Sequence, residues 1–253
     1  MNRRTKIKLA SLSLILSAAI VVCAVVFPQS VIAQAGKAKR LLPVYSVDRS
    51  DNCIAISFDC AWGVEHTDEL LKAMNDYGVK CTFFAVSFWV EKYPEYCKKI
   101  VENGHEMGTH SATHSHMSKL TEAAITEELL SSTKLIESVT GKKVELFRCP
   151  FGEYNDTVIS SAKKAGLHVI QWDVDSLDWK DLTAEQIATR VISKTKSGSI
   201  ILCHNNGLNT AKALPLIFEA LKVKGFTFKP ISELIYKENY EINANGVQHQ
   251  INV

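Results

Sequence analysis

The chain has little net charge and lacks several short motifs that would identify common classes of protein. Its 29 Lys and Arg residues nearly balance its 27 Asp and Glu residues, which leaves a formal net charge of +2 over 253 residues. Basic and acidic residues are interleaved, so the sequence has no basic stripe for nucleic acid. It also has no G-x-G-x-x-G segment, no P-loop and no H-E-x-x-H segment. These absences disfavour nucleic-acid binding, dinucleotide binding and zinc-peptidase activity.

Low-complexity segments are also missing, and long apolar runs are scarce apart from one near the N-terminus. Residues 9–27 carry no charge, basic residues precede them, and an A-x-A site follows at residues 33–35. This order is typical of an export signal, and the apolar run is long enough to serve as a membrane anchor if it is not cleaved. We therefore expect residues 1–35 to be a signal or anchor, residues 36–44 a linker, and the rest of the chain to lie outside the cytoplasm.

The cysteines do not form a regular pattern. Besides Cys23 in the apolar run, the chain has six cysteines at irregular spacing, in a domain large enough to be stable without disulfides. Several of them lie in apolar, β-rich runs, where cysteine behaves as a small hydrophobic residue. We expect buried, unpaired thiols rather than a disulfide framework.

From residue 45 onward, short β-rich runs alternate with helical stretches. The predicted strands lie at residues 53–58, 80–86, 145–147, 167–172, 199–203 and 226–228. The predicted helices lie at residues 67–77, 94–103, 121–140, 156–165, 183–194 and 210–224. Glycines stand at helix ends, and Thr121 and Thr183 have the positions of N-caps. Such alternation predicts an α/β fold with a mostly parallel sheet: a single (β/α) barrel over residues 45–236, followed by a C-terminal tail at residues 237–253. An open doubly wound sheet is the alternative.

Polar residues follow several of the predicted strands directly. Asp59, Arg148, Asp173 and His204 each stand where a strand ends. Because the carboxyl ends of barrel strands converge on one face, these side chains are expected to meet there.

Two histidines separated by three residues suggest a metal site. His110 and His114 can lie on one face of a helical turn and present two imidazoles to one ion. A hydrolytic zinc site uses about three protein ligands and keeps one position for water, so Asp59 or Cys60 would complete the set. Hydrolysis also needs a base and an acid, for which Asp59 and His204 are the candidates.

Two further residues would support that chemistry. Arg148 can pair with a carboxylate, and Asp178 can orient the His204 imidazole. Each residue alone has an ordinary reading as a surface carboxylate, a capping histidine or a structural ion pair. Together on one face they favour a hydrolytic site.

Five ordered motifs carry a family resemblance. They are Ser57-Phe-Asp59-Cys-Ala-Trp-Gly63, His110-x₃-His114, Phe147-Arg-Cys-Pro-Phe-Gly152, Asp173-x-Asp-Ser-Leu-Asp178-Trp179 and Leu202-Cys-His204. This set resembles the polysaccharide deacetylase family, carbohydrate esterase family four, whose NodB-type fold is a deformed (β/α) barrel. Within that family the chain is most similar to a sporulation-associated, PdaB-like branch.

The resemblance implies a role for each matching residue. Asp59 would be the catalytic base braced by Arg148, and His204 the general acid tuned by Asp178. His110 and His114 would bind a divalent metal, zinc or alternatively cobalt or nickel. Trp179, Leu202 and the backbone near Phe151 would form the pocket for the acetyl group. The implied activity is metal-dependent hydrolysis of N-acetyl groups on cell-wall polysaccharide, such as peptidoglycan, by a monomer whose membrane contact is limited to its N-terminal segment.

The first motif departs from the family pattern of two consecutive aspartates, because Cys60 stands at the second position. In one reading, a Cys60 thiolate completes a His₂Cys zinc site. Alternatively, Cys60 points away and two histidines and water hold the metal. A third reading is a catalytically weak or inactive relative that binds wall glycan.

Overall fold

The computed structural model describes residues 40–251. The predicted signal or anchor, which includes Cys23, and residues 36–39 of the predicted linker lie outside this range. Within it, no helix is both long enough and apolar enough to cross a membrane.

The centre of the fold is a curled parallel sheet. Its strands are β2 (Cys53–Cys60), β3 (Thr82–Ala85), β4 (Glu106–Thr109), β5 (Leu146–Phe147), β6 (His168–Val169), β7 (Val174–Asp175), β8 (Ile200–His204) and β9 (Thr227–Phe228). They follow the order β6-β5-β4-β3-β2-β8-β7, with β9 pairing with β2. Every residue of β2 is buried, as expected for a parallel strand covered on both faces. The predicted deformed barrel is confirmed.

Helices alternate with these strands and cover the sheet. They are α1 (Thr67–Asp76), α2 (Ser87–Lys92), α3 (Pro94–Glu102), α4 (Glu122–Thr140), α5 (Asp156–Lys164), α6 (Ala184–Lys194), α7 (Thr210–Val223) and α8 (Ile231–Leu234). The predicted helix starts are confirmed, because Thr121 Oγ1 accepts a hydrogen bond from Ala124 N and Thr183 forms a capping box with Gln186. At the other end of α4, Gly141 has a φ of 65°, which glycine adopts without a Cβ penalty.

Some elements were not predicted. Strand β4 lies in a segment with glycines at 104 and 108, which favour a turn when the sequence is considered alone. In the segment expected to be a tail, β10 (Tyr240–Ile242) and β11 (Val247–Gln250) form a second, three-stranded sheet with β1 (Ser46–Val47). Gln248 of β11 is buried there and bonds both the N–H and the C=O of Tyr236.

The cysteines between residues 40 and 251 are all buried and unpaired, as predicted. Burial raises the pKa of these thiols; for Cys97 it reaches about 12. The thiols therefore stay protonated and act as apolar packing groups.

Candidate active site

A cavity of about 530 Å³ lies at the carboxyl ends of the strands. Its lining combines ionisable and apolar groups: Asp59, Ala61, Trp62, His110, His114, Phe151, Gly152, Trp172, Asp175, Trp179, Leu202, His204 and Asn206. These residues lie in or directly after the carboxyl-terminal parts of β2, β4, β5, β6, β7 and β8. The predicted convergence of strand-end residues is therefore confirmed for Asp59 and His204, which are register partners on adjacent strands.

Asp59 is held as a carboxylate by a buried arginine. Arg148 Nη1 donates to Asp59 Oδ1 at 2.9 Å, and Arg148 Nη2 donates to the carbonyl oxygen of Gln171 at 3.3 Å. The Arg148 guanidinium also lies over the ring of Phe84, 4.2 Å from its centroid. Burial alone would raise the pKa of Asp59, but the surrounding positive charge, including that of the Arg148 guanidinium, and the hydrogen bond from Arg148 outweigh it and lower that pKa. Asp59 is thus an ionised, oriented carboxylate at the cavity wall.

His204 is held by a buried carboxylate in the same way. Its Nδ1–H donates to Asp178 Oδ1 at 2.8 Å, while its backbone N–H and the Thr210 hydroxyl donate to Asp178 Oδ2 at 2.8 and 2.7 Å. Burial would lower the pKa of His204, but the hydrogen bond and the charge of Asp178 outweigh it and raise that pKa. With Nδ1 bound to Asp178, Nε2 is the nitrogen that can exchange a proton within the cavity.

His110 and His114 lie side by side, with ring centroids 5.0 Å apart. Only a donor can bond a carbonyl oxygen, so the 2.9 Å contact from His110 Nδ1 to Arg148 O places the proton on Nδ1. His110 Nε2 is then unprotonated and lies 3.6 Å from Asp59 Oδ2. Burial lowers the pKa of both imidazoles, that of His114 to about 4. Both rings are therefore neutral at neutral pH, the form that binds metals.

The segment that joins these histidines is a loop, so the expected helical turn is wrong. Ser111 and His114 both have left-handed backbone angles, with φ of 72° and 57°. Glu128 of α4 holds the loop from outside: its carboxylate accepts from the backbone N–H groups of Ala112 and Thr113, each at 2.9 Å, and from the Thr113 hydroxyl at 2.6 Å. Sequence reasoning missed Glu128, because a helical glutamate gives no local signal of a distant backbone partner.

Cys60 does not face the histidines, which corrects one of the expected ligand sets. Its side chain is buried in the hydrophobic core, and its thiol lies 3.9 Å from the carbonyl oxygen of Phe58. Side chains alternate along a strand, so the residue after cavity-facing Asp59 points to the opposite face of β2. Burial raises the pKa of the Cys60 thiol well above its usual range, which opposes the thiolate that a metal would need.

The remaining residues fit a divalent metal only in part. His110 and His114 offer two neutral imidazoles, and the Nδ1 hydrogen bond of His110 is the support that metal-binding histidines commonly have. Within residues 40–251, however, no group of three or more His, Cys, Asp or Glu side chains is arranged to hold an ion. The donor set is therefore two imidazoles, with the Arg148-braced carboxylate of Asp59 beside them.

The cavity wall contains the apolar residues that were expected there, together with residues that were not predicted. Phe151, Trp179 and Leu202 line it, as the resemblance implied. Asp173 does not; its carboxylate accepts from Ile200 N and Ser199 Oγ at 2.9 and 3.0 Å. Asp175, two residues on, lines the cavity instead.

An ionised carboxylate beside a carboxylate-held imidazole in one cavity provides the groups that acid–base hydrolysis requires. The arrangement therefore defines a candidate hydrolase site on a (β/α) barrel.

Comparison with known proteins assigns the family. The family model described as polysaccharide deacetylase matches residues 46–170. The chain is 34% identical to the Bacillus subtilis protein YlxY, spanning 76% of this chain but only 60% of YlxY, and YlxY is itself uncharacterized. It is 33% identical to a peptidoglycan-N-acetylglucosamine deacetylase of Bacillus cereus, over 76% of this chain and 92% of that enzyme.

A solved structure agrees. It is a mutant, with restored enzymatic activity, of a CE4 family pseudoenzyme from Bacillus anthracis; it has a TM-score of 0.74 at 33% identity, over 76% of this chain and 70% of that one. The chain belongs to the polysaccharide deacetylase family.

Proposed function

We propose that this protein removes N-acetyl groups from cell-wall polysaccharide, with the N-acetyl sugars of peptidoglycan as substrate. The observation that carries the proposal is the pair of neighbouring groups on adjacent strands, Asp59 braced by Arg148 and His204 braced by Asp178. The relatives support the choice of substrate, because one of them is a peptidoglycan-N-acetylglucosamine deacetylase. The reaction is hydrolysis of a carbon–nitrogen bond other than a peptide bond.

Each braced group has one proton to move. Asp59, ionised at neutral pH, accepts a proton from the water whose oxygen attacks the acetyl carbonyl carbon. His204, whose pKa is raised, donates its Nε2 proton to the sugar nitrogen as the carbon–nitrogen bond breaks. The products are acetate and a free amine on the sugar, and the proton on Asp59 returns to His204 through solvent. Asp178 keeps His204 in the orientation and charge state that this transfer needs.

His110 and His114 would hold a divalent metal ion, zinc or alternatively cobalt or nickel. When bound, such an ion polarises the acetyl carbonyl and makes water more acidic. Trp179, Leu202 and Phe151 provide an apolar wall suited to the acetyl methyl group.

A second candidate is a glycan-binding protein without catalysis. The specific observation in its favour is Cys60, which points into the core from the position where the family pattern has a second aspartate. The similarity to a CE4 family pseudoenzyme is consistent with it.

The place of action is also a proposal. We infer from residues 1–35 that the domain is exported and works outside the cytoplasm, secreted or anchored at the wall. From the family resemblance we infer that it works as a monomer and that its reaction belongs to sporulation. Residues 36–44 would be the linker, residues 45–236 the deacetylase domain and residues 237–253 a C-terminal extension.

Acetate release from N-acetylglucosamine oligosaccharides, with and without added zinc, tests the catalytic proposal. Asp59→Asn should lower the rate by about 10²-fold or more, because the base is lost while the shape is kept. Asp76→Asn is a matched control, since Asp76 is an exposed carboxylate on α1. Wild-type rates in Asp59→Asn would overturn the proposal, and glycan binding by a wild type that releases no acetate would favour the second candidate.

A further inference from the structure

Trp62 is one of three large aromatic side chains that line the cavity and stay exposed, together with Phe151 and Trp179. Its exposed fraction is 57%, although indole is costly to leave in water. Asp59, by contrast, is buried at the base of the same cavity. A ligand bound in this cavity near Asp59 can therefore also rest on the indole of Trp62.

The backbone beneath Trp62 is fixed by two buried side chains. Asn205 Nδ2 donates to the carbonyl oxygens of Trp62 and Gly63, at 3.3 and 2.8 Å, and Trp89 Nε1 donates to the same Gly63 oxygen at 2.7 Å. Gly63 has a φ of 60°, a conformation that favours glycine. The loop thus holds an exposed indole on an anchored backbone, so little order has to be gained when a ligand binds to it.

Trp62 also begins a row of aromatic rings along the cavity mouth. Its ring meets His114 edge-on with centroids 5.2 Å apart; His114 meets Phe151 at 4.6 Å, and Phe151 stacks on His116 at 4.4 Å. His116 is itself held by Glu153, whose Oε2 lies 2.8 Å from Nδ1. A continuous row of aromatic rings of this kind suits the flat C–H faces of sugar rings that follow one another in a chain.

We propose that Trp62 is a binding platform for the sugar next to the one that is deacetylated, so that the site selects a glycan chain over a single N-acetyl sugar. The reacting acetyl group lies deep, near Asp59, while the indole stands at the rim and faces a neighbouring ring of the same chain. This inference rests on the proposed function for the identity of the ligand, but it concerns binding and does not require turnover.

The test is calorimetric binding of N-acetylglucosamine and of its β-linked tetramer in an Asp59→Asn background, in which hydrolysis is slowed by about 10²-fold or more. Trp62→Ala should weaken tetramer binding on the order of tenfold, and Trp62→Phe should restore most of it. Neither change should alter binding of the monosaccharide. Phe88→Ala is the matched control, because Phe88 is an exposed aromatic residue of α2 outside the cavity lining and its loss should leave both affinities unchanged.

Equal tetramer affinity in Trp62→Ala and its parent would overturn the proposal, as would the same loss for monosaccharide and tetramer. If tetramer binding is tight and depends on Trp62, but the protein with Asp59 intact releases no acetate, the platform would be supported and catalysis refuted. If acetate is released from the tetramer and Trp62→Ala changes neither kcat nor KM, catalysis would be supported and the platform refuted. Circular dichroism of Trp62→Ala identifies any loss of binding that comes from misfolding.

Discussion

Removal of the Glu128 carboxylate should loosen the loop that carries His114 without unfolding the domain. In Glu128→Ala the backbone N–H groups of Ala112 and Thr113 and the Thr113 hydroxyl all lose their acceptor. Thr109 Oγ1 still accepts from the N–H of Ser111 at 3.1 Å, so the beginning of the loop stays attached to the fold.

The expected magnitude follows from these contacts. A hydrogen bond to a charged group contributes about 1.5–3 kcal/mol when it is buried. Because Glu128 is partly exposed, about 2–4 kcal/mol for all three bonds is a reasonable range. The left-handed backbone of Ser111 and His114 costs about 1–3 kcal/mol at each residue. Without Glu128 the three hydrogen bonds no longer offset the cost of the left-handed backbone, so the loop relaxes to another conformation. This relaxation limits the net loss of unfolding free energy to about 2 kcal/mol.

Chemical denaturation, amide hydrogen exchange and steady-state kinetics would be measured on Glu128→Ala, Glu128→Gln and Glu127→Ala. Glu127 is the matched control, because it is the exposed neighbour on the same helix, and its loss should change stability by less than about 0.5 kcal/mol. In Glu128→Ala the amides of Ala112 and Thr113 should exchange faster, and kcat/KM should fall on the order of tenfold at temperatures where the protein is fully folded. Glu128→Gln keeps one acceptor oxygen and should lie between wild type and Glu128→Ala. Unchanged exchange at both amides would refute the reasoning, and an unchanged kcat/KM would show that Glu128 only stabilises the fold.

Three further changes test other parts of the site and the core. Asp178→Asn should lower turnover by about 10²-fold and remove the pH dependence that depends on a raised His204 pKa; an unchanged pH–rate profile would make Asp178 purely structural. Cys60→Ala should leave zinc affinity in a calorimetric titration unchanged, because the thiol lies in the core, whereas a tenfold loss of affinity would restore Cys60 as a ligand. His105 is buried, accepts from Cys81 N–H through Nδ1 at 3.2 Å, and has a pKa lowered by burial to about 4. As the pH falls, His105 is therefore protonated in the unfolded chain before it is protonated in the folded protein. Relative to His105→Asn, which keeps an acceptor but does not titrate, wild type should lose about 3 kcal/mol of unfolding free energy between about pH 6.5 and 4. Parallel curves of stability against pH for the two proteins would contradict this.

Much of the barrel could be predicted because its signals are local. Strand β2 is an apolar run, and Thr121, Thr183 and Gly141 mark helix ends through hydrogen bonds or backbone angles that involve only near neighbours. The position of Asp59 and His204 in one cavity also follows from the topology, because the carboxyl ends of the parallel strands lie on the same face of the barrel.

What could not be predicted depends on the direction of a side chain or on a distant partner. The choice of Asp175 over Asp173 as a cavity residue depends on where β7 begins, which the sequence does not fix. Glu128 lies 16 and 15 residues after the two backbone N–H groups that donate to it, so these hydrogen bonds are visible only in the three-dimensional structure. The orientation of Cys60 is different, because strict alternation along β2 predicts it once Asp59 is placed in the cavity.

The central claim is tested most directly by treating purified peptidoglycan with the protein and measuring free amino groups on its sugars together with released acetate. The account predicts that amines and acetate appear in equal amounts with wild type, and that both form about 10²-fold more slowly, or slower still, with Asp59→Asn. Glycan binding without either product would contradict it.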